Sequence, residues 1–222
     1  MRNLINIEKE AQQNSIIAQH EKELAQKSKI NALVEIRKAK AREKLFKIEF
    51  ELSEKKKDLA EKRRILANAK SEIKMKNILD FSDEELKIET NYAIYNEKIS
   101  KNQKDVAEIN KKIAIIEKQI AEEKLRLAKE KLDVARAREK LASVQIAYLK
   151  TSKGQASEEK VSKAQDKVES EKKRLQKQKN DVLEKEKDLR KKENKLADLK
   201  KELSSKLAER EKIRHPGVIL AG

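Results

Sequence analysis

The sequence predicts an all-α fold of long coiled-coil helices, arranged as an elongated antiparallel hairpin or a three-helix bundle. Three observations carry that prediction. Ile99, Val106, Ile113, Ile120, Leu127, Val134, Leu141 and Tyr148 recur every seven residues without a miss. Ala107, Ala114, Ala121, Ala128, Ala135 and Ala142 form a second file one position on. The composition is 43% charged and 3% aromatic, with three Gly and one Pro, which leaves few turn formers and few bulky core residues for a mixed globule. A strict seven-residue period keeps an apolar seam on one side of a helix and imposes a left-handed supercoil. A disordered chain, which shares the high charge, has no cause to keep such a period.

The first helix is expected over residues 1–79. It repeats the two-file pattern, with Leu45, Leu52, Leu59, Leu66 and Ile73 as the large file, joined earlier by Ile17 and Leu24. Ala11, Ala18, Ala25, Ala32, Ala39, Phe46, Ser53, Ala60 and Ala67 run one position later. Asn31 and Lys38 interrupt the large file, either to fix register or as a gap in packing. Residues 1–79 hold 20 basic and 12 acidic side chains, half of the chain's net charge of +16. Arg37, Lys38, Lys40, Arg42, Lys44 and Lys47 are opposed there only by Glu43. Phe46 is the one aromatic within it, too few for a base-stacking row, and no clean polar–apolar division suits a membrane surface, so the stretch reads as a solvated face.

The register breaks between Ile73 and Ile78, and residues 80–82 are read as a break or turn. Ser82 followed by Glu85 is a capping box, with Asp83 and Glu84 suited to a helix's first turn. The second helix, 83–150, carries the central seam and should be on the order of 100 Å long at 1.5 Å per residue. Ile109, Ile116, Ala137 and Val144 flank the seam on one side, Leu125, Leu132 and Ile146 on the other. Such a breadth predicts more than one neighbour. The loop is placed at 151–157, with Gly154 in the left-handed conformation and Ser157 capping the next helix. Gly154, with Lys153 before it and Ser157 after it, does not make a phosphate loop, because the preceding strand and the residue order are missing.

The third helix, 158–213, has the single file Val161, Val168, Leu175, Val182, Leu189, Leu196 and Leu203, and is expected to fold antiparallel onto the second. Pro216 ends it. The remainder, 214–222, is an apolar non-helical tail containing Val218, Ile219 and Leu220. With that pairing the tail emerges near Phe81, Tyr92 and Tyr95, a possible end-to-end or self-covering contact.

The charges interleave. Glu51/Lys55, Asp58/Lys62, Glu97/Lys101, Glu108/Lys112, Glu169/Lys173 and Glu186/Arg190 are acid-first pairs four apart, a spacing that supports helices. No Cys is present, and His20 and His215 stand far apart, so no thiol chemistry and no metal site is expected. No catalytic or cofactor-binding residue is assigned either, since no convergent polar pocket is legible and Tyr92 and Tyr95 read as packing residues. The absence of a long apolar run and of a signal-peptide core points to a cytoplasmic protein, or a periplasmic or secreted one if a signal has been removed.

The expected function is that of a non-enzymatic structural protein: a rod, scaffold or filament component that associates with itself or an assembly partner. The seam from Ile99 to Tyr148 is the expected self-association surface. In length, helix count and basic excess the chain also resembles BAR domains. That resemblance implies a dimeric three-helix module on an anionic membrane. A hairpin stalk of the kind found in bacterial export machines is a third reading. Nucleic acid is the least favoured partner.

Overall fold

The computed structural model describes residues 2–75, 82–154 and 156–214. It consists of three helices: α1 (Arg2–Met75), α2 (Asp83–Lys153) and α3 (Glu158–Arg214). No strand occurs among the described residues. Ser82 caps α2 as the sequence predicts: its Oγ accepts from the Glu85 amide at 3.1 Å. Three acidic residues, Asp83, Glu84 and Glu85, follow in the first turn, where the helix dipole favours them.

Two details at the next junction differ from expectation. α2 continues through Thr151, Ser152 and Lys153, and Thr151 Oγ1 donates to the Ala147 carbonyl at 3.0 Å. Gly154 does not adopt the left-handed conformation. Its amide instead closes an ordinary helical turn onto the Lys150 carbonyl at 3.1 Å. An added Cβ would lie 3.3 Å from that same oxygen, so the tight approach suits a residue without a side chain. α3 then begins where the Ser157 carbonyl accepts the amides of Lys160 and Val161.

The chain forms two compact units, each holding one segment of each helix. Unit 1 comprises residues 1–37 and 119–193, and unit 2 comprises residues 38–118 and 194–222.

In unit 1, α1 runs antiparallel to α2. Advancing along α1, Asn14 meets Gln145, Glu21 meets Arg138 and Glu35 meets Lys124. On the other flank Glu8 meets Lys153 and Lys22 meets Glu139. Every step up α1 is matched by an equal step down α2. This register sets Ala18 level with Ala142, Ala25 with Ala135 and Ala32 with Ala128. All six are at most 3% exposed. Small side chains let two helix backbones approach closely, so the contact is an alanine file on an alanine file. α3 packs on a neighbouring face of α2. Val134, Ala137 and Leu141 pack with Val168 and Leu175, and Val144, Tyr148 and Val182 close the cluster. Each fully buried Val or Leu there contributes about 1.5–3 kcal/mol. Lys140 meets Glu171 and Lys131 meets Glu186, so α3 runs antiparallel to α2 as expected.

In unit 2 the same relations hold. Arg42 meets Glu117, Glu43 meets Lys118, Glu54 meets Lys104, Arg64 meets Glu97 and Lys70 meets Glu89. The chain thus reverses between α1 and α2 rather than kinking. Ala60, Ala67, Ala93, Ala107 and Ala114 are buried along this contact. Asn102 Nδ2 donates to the Lys206 carbonyl of α3 at 3.1 Å, and Lys206 pairs with Asp105 at 3.3 Å. Of the pairs four apart in sequence, Glu108–Lys112 forms at 2.8 Å. Glu97 and, in unit 1, Glu186 reach across to another helix instead.

Candidate interaction surface

The central seam is an internal feature. Val106 and Ile113 in unit 2, and Ile120, Val134 and Leu141 in unit 1, are buried. Ile99, Leu127 and Tyr148 are partly buried. The structure thus brings these residues into the three-helix packing of each unit, and most of their surface is already covered by the chain itself.

The large file of α1 behaves in the opposite way. Ile17 and Leu24 in unit 1, and Leu45, Leu52, Leu59 and Leu66 in unit 2, are 41–56% exposed. The alanine file beside them takes the contact with α2, and that choice rotates the large residues to the rim. Asn31 and Lys38 share this exposed row, so neither is a buried polar interruption of a seam.

In unit 1 a groove opens between α1 and α3 over α2. Leu24 and Ala25 form one wall, Val182 and Leu183 the other, and Val134 the floor. Lys179 and Glu186 of α3 line it, together with Glu21 of α1 and Lys131 and Arg138 of α2. Its rim therefore carries both signs of charge. In unit 2, Leu52, Ser53, Val106, Ala107 and Arg210 line a shallower counterpart.

Polar groups that the seven-residue files do not reveal sit inside these contacts. Gln145 is fully buried, and its Oε1 accepts from Asn14 Nδ2 at 3.1 Å. Arg138 grips both oxygens of Glu21 at 3.0 Å. Glu123, also buried, accepts from Lys192 of α3 at 2.7 Å. That hydrogen bond, against the opposing effect of burial, holds its carboxyl below the usual range. Position offers a usable signal for these residues. Asn14 and Gln145 each fall three residues after a member of an alanine file. Asn102 and Glu123 share the seven-residue row of Ile109 and Ile116.

The expected end contact is only partly visible. Tyr92 is exposed and Tyr95 half-buried. Phe81, Val218, Ile219 and Leu220 lie outside the described residues. No group of three or more His, Cys, Asp or Glu residues placed to hold a metal ion occurs among the described residues. No helix there is long and apolar enough to cross a membrane. No protein-family model, curated protein or solved structure matches the chain.

Proposed function

We propose that the protein is a non-enzymatic coiled-coil component of a larger assembly, a scaffold or filament element, whose first partner is another copy of itself. The observation that carries this reading is the exposed large file of α1. A seven-residue apolar row is the form of a helix surface that another helix covers. Isolated exposed leucines need no explanation, but a regular row of them within each unit does.

The chemistry in the grooves supports the same reading. Glu21 pairs with Arg138 and Lys131 with Glu186, each across two helices, rather than converging on a reacting position. Sedimentation equilibrium over a range of protein concentrations tests the proposal. Association into dimers or larger species is the expected result, and a monomer at every concentration overturns it. Sedimentation with anionic vesicles, weakening with salt, on a chain that stays monomeric would favour the membrane-binding alternative.

A further inference from the structure

Along α3 of unit 1, Lys172, Lys179, Glu186 and Glu193 stand seven apart, on one row of the helix. The order is two bases, then two acids. It reverses sign about a point midway between Lys179 and Glu186, beside Val182 and Leu183. Leu183 is 55% exposed and lines the open groove opposite Leu24, which is 49% exposed.

We infer that this groove is the contact surface for a second copy of the chain, paired antiparallel across a two-fold axis beside Leu183. The inference rests on the self-association proposed above and names where it occurs. A two-fold contact must be complementary to itself, and this row meets that condition. Under the two-fold, Lys179 faces Glu186 of the partner subunit and Lys172 faces Glu193 of the partner subunit, each pair occurring twice. Leu183 meets its own equivalent at the axis. On the neighbouring row Asn180 meets Lys187 of the partner subunit, so no like charges are opposed there. A parallel arrangement would set Lys against Lys and Glu against Glu throughout, and the charge pattern excludes it.

Existing contacts leave these side chains available. Glu186 pairs with Lys131 at 2.8 Å, and Lys172 lies 3.9–4.0 Å from Glu169 and Glu10. All are partly exposed ion pairs, which contribute little and exchange readily. The apolar walls of the groove supply what the charges lack. Leu24, Val182 and Leu183 are taken from water by the partner's α3, and the charged rows fix its direction.

The test uses the full chain in two single-sign variants. Lys172→Glu with Lys179→Glu makes the row wholly acidic, and Glu186→Lys with Glu193→Lys makes it wholly basic. Each variant alone is expected to associate at least about tenfold more weakly than wild type, read by sedimentation velocity. Mixed one to one, they are expected to pair with each other, and the fourfold swap within one chain is expected to restore self-association. Leu183→Gln, which touches none of these ion pairs, should also weaken association while helicity by circular dichroism is unchanged. Association of every variant at wild-type strength overturns this surface and leaves the self-association reading standing. Weakened variants that fail to pair on mixing also overturn it. A monomeric wild type overturns both.

Discussion

Asn14 and Gln145 meet inside the α1–α2 contact of unit 1, the Asn14 amide donating to the Gln145 oxygen at 3.1 Å in a site closed to water. The alanines around them repeat every seven residues on both helices. Sliding α1 by seven would still set alanine on alanine, with Ala18 level with Ala135 or Ala25 with Ala142. The apolar contact in this unit therefore does not by itself choose a register. The polar groups do. One slide sets Gln145 against Ile7, and the other sets it against the Glu21 carboxylate and takes that carboxylate from Arg138.

Removing one member of the pair should cost more than removing both. Asn14→Ala leaves the buried Gln145 oxygen without its donor, at about 1–3 kcal/mol. Asn14→Leu with Gln145→Leu should recover much of that loss but relax the register. Thermal melts give the first result. The second is read by cysteine pairs in this cysteine-free chain. Ala18→Cys with Ala142→Cys should cross-link in both backgrounds. Ala18→Cys with Ala135→Cys should cross-link appreciably only in the double-leucine background.

Residue size along the two files of α1 leads to a second expectation. Ala25→Leu forces a large side chain into a site 3% exposed, where overpacking costs typically 1–3 kcal/mol or more. Leu59→Ala removes a side chain already half exposed, and should cost less than about 1 kcal/mol in the monomeric chain. Chemical denaturation of both variants checks the order. If the leucine file were the core of each unit, the order would reverse.

This inversion marks where the sequence stops being readable. The period of seven, the antiparallel pairing of α3 with α2, the cap at Ser82 and the breadth of α2 are local or arithmetic properties, legible from spacing and loop residues, whereas the reversal between α1 and α2 is not. Which of two adjacent files faces inward is not. A file of Leu beside a file of Ala satisfies the same period, and the outcome depends on how closely two backbones approach, a property of the helix pair. The same holds for the seam from Ile99 to Tyr148. Its spacing identifies a packing surface, but whether the covering helix comes from the same chain or another is decided by the fold. Gly154 shows the limit at a single residue, since a Gly after a helix suits both a left-handed cap and an ordinary closing turn.

Burial on the central seam should outweigh charge on the surface beside it. Ile113 is 6% exposed in unit 2. Ile113→Asn loses its apolar burial and places an unpaired amide there, and should destabilise by a few kcal/mol, on the order of 3. Lys118, in the same unit, forms a partly exposed pair with Glu43 at 3.0 Å. Lys118→Gln should change stability by less than about 0.5 kcal/mol, because such pairs are screened and flexible. Equal effects in urea titrations would mean that the seam is not the core of the unit.

The pair of Glu123 and Lys192 gives unit 1 a defined response to acid. Glu123 is 8% exposed and accepts from Lys192 at 2.7 Å, and that hydrogen bond is the leading cause of its depressed pKa. In the unfolded chain the carboxyl returns to the ordinary glutamate value, about 4.3. The folded form therefore binds its proton less readily than the unfolded form. Its contribution to stability is fully present above the ordinary value and is lost as pH falls through the depressed one. Glu123→Gln keeps the size and a hydrogen-bonding oxygen but has no proton to take up. The variant should be less stable than wild type near neutral pH, and the gap should narrow as pH falls below about 4. Denaturation midpoints measured from neutral pH down to about pH 3 would show it as two converging curves. A constant gap across the range would mean that Lys192 holds Glu123 no more tightly than water does.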